Sequence, residues 1–165
     1  MGKVTSRVEP LELILEKSFG VSPETLFDAL TQSEHLRRWW APGDWELTAC
    51  EVDFRVDGSW FYAMKYTGQT PGDLYGTDAG GRWLYREIDK PRSFTFIDLF
   101  ADANNVIDEI MPQGAVTMLF ADHEEGTRLT VRMRYDSEDD LNTMIDIGME
   151  QGMGDVLERL EAYLI

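Results

Sequence analysis

The sequence predicts an α+β domain: a curved, mostly antiparallel sheet of about seven strands wrapped around a long C-terminal helix, with two short helices after the first strand. Three observations predict it. Seven segments read as strands, six of them consecutive and each bounded by turn chemistry. Residues 137–164 carry apolar side chains at helical spacing. The chain has 165 residues, 43 % of them hydrophobic, with five Trp, eight Phe and six Tyr, which is material for one well-buried domain over 1–165. Antiparallel strands in that number twist, so the sheet is expected to curl around the apolar face of the last helix.

Each element has its own warrant. Residues 1–10 show no pattern and are expected to form a loose tail. In residues 11–19, Leu11, Leu13 and Leu15 alternate with Glu12, Ile14 and Glu16, the period of a strand. "VSPETLFDAL" then starts a helix, with Ser22 as N-cap, Pro23 at the first helical position and Glu24 in the first turn. A second short helix from Ser33 to about Trp40 stops at Pro42-Gly43. Strands follow over 46–54, 59–66, 82–88, 93–100, 115–122 and 127–135, separated by "VDGS", a long glycine-rich loop, "DKPR", "MPQG" and "HEEGT". The loop over 67–81 is long for a hairpin and reads either as a lid or as a surface insertion. In the last strand, Leu129, Val131, Met133 and Tyr135 share one face and Arg128, Thr130, Arg132 and Arg134 the other, so the sheet has a dry side and a wet side.

The final helix opens with Ser137 and the acidic residues Glu138, Asp139 and Asp140, which suit a helix N-terminus. Leu141, Met144, Ile145, Met149, Met153, Val156, Leu157 and Leu160 make its apolar stripe. At about 1.5 Å per residue, roughly 25 residues cross a whole sheet. Gly148 and Gly152 on the stripe would let the sheet come close or leave room beside it.

Charge narrows the function classes. Thirty-one acidic residues against 15 basic give a formal net charge of -16, which argues against nucleic acid and anionic membrane surfaces as partners. Cys50 is the single cysteine, so neither a disulfide within the chain nor a thiol metal cluster forms. No apolar leader or membrane-length run appears, and a cytoplasmic protein is expected. The histidines, His35 and His123, lack metal-ligand spacing, and no nucleophile elbow, phosphate loop or dinucleotide fingerprint is present. Neither a metal nor a cofactor is expected. A homodimer through an exposed sheet edge is compatible with the pattern.

The candidate binding residues come from strand alternation. In "SWFYAMKY", Trp60, Tyr62, Met64 and Tyr66 share a face of large side chains, most with a polar handle. "RWLYRE" places Trp83, Tyr85 and Glu87 together, and "SFTFIDLF" places Phe94, Phe96, Asp98 and Phe100 together. Which face of these two strands is concave stays open, because Thr95, Ile97 and Leu99 form an equally apolar alternative. Asp98 and Glu87 are the acid-base candidates if they face inward. "HLRRWWAPGDW" packs three tryptophans into seven residues. Trp39 is expected to anchor a corner, with Trp40 and Trp45 at a pocket rim. Core packing is the alternative for each ring.

Four stretches resemble a known family: "VSPETLFDALTQSEHLRRWWAP", "VDGSWFYAM", "GRWLYREIDKPRSFTFIDLF", and "GTRLTVRMRY" followed by a glycine-containing helix ending "LERLEAYL". Their order and spacing are similar to the START/Bet v-like (SRPBCC) superfamily with the helix-grip fold, and within it to homologues of the activator of heat-shock-protein ATPase. The likeness runs from Leu11 to the C-terminus. It implies a ligand cavity between the curved sheet and the C-terminal helix, which Met149 and Met153 would line from the helix side. Members include lipid carriers, polyketide cyclases and co-chaperones, and a shared fold does not choose among them. The chaperone-activating members carry a further chaperone-binding domain, for which 165 residues leave no room. The expectation is non-catalytic binding of a small hydrophobic, aromatic or lipid-like molecule. A cyclase- or hydrolase-type enzyme using Asp98 or Glu87 is one alternative, and a partner-binding module using the tryptophan rim is another.

Overall fold

The computed structural model describes residues 3–68 and 77–165. Its elements run β1 (Thr5–Glu9), β2 (Glu12–Phe19), α1 (Pro23–Thr31), α2 (Ser33–Trp39), β3 (Trp45–Val52), β4 (Ser59–Tyr66), β5 (Asp78–Asp89), β6 (Ser93–Phe100), β7 (Gly114–His123), β8 (Gly126–Arg134), α3 (Glu138–Asp146) and α4 (Met149–Leu164). The eight strands form one antiparallel sheet in the order β1-β2-β8-β7-β6-β5-β4-β3, gripping helices on one face in the helix-grip manner.

Three features depart from the sequence-based expectation. Residues 5–9 are not a loose tail but an edge strand, β1, paired to β2 through a turn in which Leu11 adopts φ 66°. All five residues of β1 are exposed, so no burial period marks them in the sequence. The second departure is in the long helix, which is broken. α3 ends at Asp146, and Gly148 takes φ 92° before α4 begins at Met149. Gly148 and Gly152 are exposed, with open space where a Cβ would stand, so they do not ease the approach of the sheet. Gly148 instead supplies a left-handed backbone that side-chain-bearing residues rarely adopt. Third, β5 starts at Asp78, taking in the end of the presumed loop; residues 69–76, which hold most of the lid candidate, lie outside the described residues.

Local chemistry explains the helix starts. Ser22 Oγ accepts a hydrogen bond from the Thr25 amide at 3.2 Å, and Ser137 Oγ one from the Asp140 amide at 3.1 Å. Each cap satisfies a donor the helix itself cannot. α1 brings Leu26, Phe27 and Leu30 to the core, α2 brings Leu36 and Trp39, and α4 brings Met153, Leu157 and Leu160. They meet the inward face of the sheet at residues such as Leu15, Trp83, Phe96, Val116 and Val131. Burying each large apolar side chain contributes about 1.5–3 kcal/mol, which makes this face the main source of stability. A smaller cluster of Phe61, Ala63 and Ala101 lies on the opposite face, with Ile107 packed against it. The Nζ of buried Lys17 on β2 lies 3.3 Å from Glu161 Oε2 on α4, tying that helix to the sheet. Among the described residues, no helix is long and apolar enough to cross a membrane.

Candidate ligand-binding site

The tryptophan-rich segment is mainly core. Trp39 Nε1 donates to the Ala29 carbonyl at 2.9 Å, joining α2 to α1. Trp40, expected at a rim, is buried at 6 % exposure. Its ring meets Trp60, Tyr62 and Trp83 edge-on, with centroids 4.7, 5.1 and 5.7 Å away. The reason is the turn at the end of α2: Trp40 keeps helical dihedrals as C-cap, and its carbonyl accepts from Arg159 Nη2 of α4 at 3.0 Å. That geometry swings the ring inward. Only Trp45 is half-buried, set edge-on to Tyr66 at 5.4 Å across β3 and β4.

The same packing fixes which strand face is concave. Trp83, Tyr85, Phe94 and Phe96 are all buried on the helix side, with Trp83 stacked on Phe96 at 3.9 Å and 13°. Phe94 in turn meets Phe27 of α1 edge-on at 5.4 Å. Trp60, at 0 % exposure, completes this layer. The aromatic set therefore forms a solid floor under the helices. Two polar atoms in it, Trp60 Nε1 and the Tyr85 hydroxyl, have no hydrogen-bond partner. Both lie near Cys50, whose thiol pKa is pushed up by burial.

Asp98 sits at the edge of this floor. In the β5–β6 register it stands opposite Trp83, and in the β6–β7 register opposite Gly114. Two tyrosines flank it by using glycines as seats. Tyr62 faces Gly81 across β4 and β5, and a Cβ on Gly81 would come within 2.6 Å of the Tyr62 hydroxyl oxygen. Tyr135 lies over Gly114 in the same way, 3.1 Å from where a Cβ would be. Burial pushes the Asp98 pKa up to about 7, against a hydrogen bond from Trp83 that lowers it. Asp98 itself is half-buried. Burial also raises both tyrosine pKa values, and the Asp98 charge adds to the rise. A carboxyl near neutrality between two phenols can donate or accept a hydrogen bond, as a ligand requires.

Beyond Tyr62 the floor opens into a cavity of about 590 Å³. Tyr62, Met64 and Phe100 line it from the sheet, and Val106, Ile107 and Asp108 from the segment after β6. That segment is held by Arg82, whose Nε donates to Asn105 Oδ1 at 2.8 Å and whose Nη2 donates to the Asn105 carbonyl at 2.6 Å. Tyr62 joins the two parts: its ring lines the cavity and its hydroxyl feels the charge of Asp98.

The remaining sequence candidates are scattered. A β-bulge between Tyr85 and Ile88 shifts the register, so Glu87 leaves the aromatic row and is exposed, its amide held by Thr95 Oγ1 at 3.0 Å. It cannot share a site with Asp98. Met149 is partly buried and Met153 is in the core, but neither lines the cavity beside Tyr62. Among the described residues, no group of three or more His, Cys, Asp or Glu is placed to hold a metal ion. Sequence reasoning placed Phe100 and Tyr135 on their strand faces without singling them out for the site, and it missed Ile107. Phe100 and Tyr135 continue alternations visible in their strands, but Ile107 carries no periodic signal.

Comparison with known proteins agrees with this architecture. The crystal structure of protein Ms6760 from Mycobacterium smegmatis is similar over 99 % of this chain and 96 % of its own, with 26 % identity and a TM-score of 0.84. A solution structure of a protein from Arthrobacter aurescens covers 98 % of this chain and 90 % of its own, with 29 % identity and a TM-score of 0.82. A Staphylococcus epidermidis protein follows at 26 % identity, 97 % and 93 % coverage and a TM-score of 0.78. No curated protein matches. The profile of the family described as "Activator of Hsp90 ATPase homolog 1-like protein" matches residues 20–165, from α1 to the end of α4 and so through every element that builds the site. The chain belongs to that family.

Proposed function

We propose that the protein binds a small hydrophobic molecule, aromatic or lipid-like, in the cavity bounded by Tyr62, Met64 and Phe100, without consuming it. The observation that carries this reading is the junction at Tyr62, where an apolar cavity of about 590 Å³ meets the polar set of Asp98 and Tyr135. Small-molecule sites combine this apolar lining with a few convergent polar groups, in this range of volume. The lone buried cysteine suits a reducing compartment such as the cytoplasm.

The test compares native and denaturing mass spectra of gently purified protein, followed by thermal shifts with aromatic and lipid-like compounds. A non-covalent mass or a saturable stabilisation is expected, and Met64→Trp, which fills the cavity, should abolish it. Stabilisation that survives Met64→Trp would place binding elsewhere, and no binding at all would end the reading.

A second reading is favoured by Asp98 alone. A carboxyl that titrates near 7 between two phenols could serve as a general acid or base, as in a cyclase. Turnover lost in Asp98→Asn with binding kept would favour it. The family name points to activation of a chaperone ATPase, but the tryptophan segment offers such a partner little, since Trp39 and Trp40 are buried.

A further inference from the structure

One wall of the cavity beside Tyr62 is the turn after β6, which contributes Ala101, Asp102, Val106, Ile107 and Asp108 to the lining. That turn holds its own shape. Asp102 Oδ1 accepts from the Asn104 and Val106 amides, each at 2.9 Å. The Asp102 amide donates to the Val106 carbonyl and the Asn105 amide to the Asp102 carbonyl, both at 3.0 Å. Ala101 and Ile107 bridge its base. These bonds stay within the turn, so they fix its form without fixing where it stands on the sheet. Side-chain contacts with the sheet do that. Ile107 packs against Phe61 and Ala63 at the base. At the tip, Arg82 of β5 donates from Nε to Asn105 Oδ1 at 2.8 Å and from Nη2 to the Asn105 carbonyl at 2.6 Å. Asn105 has φ 64°, a left-handed conformation that asparagine adopts more readily than most residues with a side chain. A guanidinium supplies the two donors in one rigid plane, which an ammonium cannot. Arg82 itself does not line the cavity. It stands opposite Phe61 in the β4–β5 register, on the sheet face away from the helices and the main core.

Resting on the binding reading above, we infer that Arg82 is the positioning residue of the ligand site: its fork to Asn105 holds the turn that walls the cavity in place for a ligand Arg82 does not touch. A wall set before the ligand arrives avoids the ordering cost that a mobile wall incurs on binding, so the fork raises affinity. Because the fork lies away from the main core, its loss acts on the site far more than on the fold.

The test titrates 4-phenylbutanol by calorimetry into the full chain and its variants; a neutral probe keeps the lost charge of Arg82 out of the reading. Arg82→Ala is expected to weaken binding about tenfold while its urea midpoint stays close to that of the native protein. Arg82→Lys keeps a single donor in place of the fork, and Asn105→Gly keeps the left-handed backbone but lacks Oδ1. Each should give an intermediate loss of about threefold. Arg82→Ala combined with Asn105→Gly should bind no more weakly than Arg82→Ala alone, because both changes remove one interaction. A role in stability alone would not produce that pattern. Should Arg82→Ala fail to fold, the two intermediate variants carry the test. If Arg82→Ala binds as tightly as the native protein while Met64→Trp abolishes binding, the positioning role is overturned and the cavity stands. Additive losses in the double variant would overturn it as well. No binding of the probe by the native protein would overturn both the positioning role and the binding reading.

Discussion

Replacing Asp98 by asparagine should make the protein more stable at neutral pH, an unusual result for a core-facing polar residue. An ordinary aspartate pKa of 3.8 rises to about 7 here because burial penalises the charge. Below about pH 4 the carboxyl is protonated in both folded and unfolded chains, and Asp98 does not weaken the fold. Between about pH 4 and pH 7 the unfolded chain ionises while the folded one resists, so stability falls by about 1.4 kcal/mol per pH unit. Above pH 7 both forms are charged and the loss levels off. The full penalty approaches roughly 4 kcal/mol, and partial exposure of Asp98 to water reduces it to about 2–4 kcal/mol. Asparagine keeps the shape and an oxygen for the Trp83 N–H but carries no charge. Urea unfolding of both proteins between about pH 4 and pH 8 measures the difference, in which repulsion among the other acidic residues cancels. The variant should gain about 2–4 kcal/mol at the upper end and nothing at the lower. A variant less stable at pH 8, or a gap independent of pH, would refute the burial argument.

Other perturbations test the frame around the site. Trp40→Ala removes a ring that touches four aromatic neighbours, Trp39 among them, and should cost about 3–5 kcal/mol in urea unfolding followed by circular dichroism. A loss below about 1 kcal/mol would mean the ring is not core. Glu161→Gln removes the carboxylate that faces buried Lys17 from α4 and should cost about 1–3 kcal/mol, detectable as a lower urea midpoint. Gly148→Ala forces a side chain into the left-handed break between α3 and α4, with an expected loss of about 1–2 kcal/mol. A stabilised variant would show instead that the two helices can fuse into one.

Much of the fold was legible because strand periodicity is a local signal. The alternation of Trp60, Tyr62 and Met64, and of Phe94, Phe96 and Asp98, already sorted side chains onto faces that the structure keeps. Whether those faces were concave was not legible, since Thr95, Ile97 and Leu99 alternate just as well. Packing against Phe27 of α1 decides it, and that contact joins segments far apart in the chain. Glu87 misled for a different reason: a single bulge reverses the parity of every residue beyond it, and nothing in "RWLYREI" announces one. β1 was invisible because an exposed edge strand has no buried period. In the sequence Gly148 is one small residue on an apolar stripe, but its use is a dihedral angle. The cavity itself takes five of its eleven lining residues from the segment after β6, where Ile107 and Asp108 follow no period at all.

The most direct test uses the methionine beside Tyr62. In protein labelled with ¹³C at methionine methyls, Met64 lines the cavity while Met118 and Met133 are in the sealed core. Assignment of its signal by Met64→Leu is followed by titration with 4-phenylbutanol. A saturable shift of the Met64 methyl, with Met118 and Met133 unmoved, is the predicted result. Saturable binding that leaves Met64 unmoved, or no binding at all, would contradict a ligand site in this cavity.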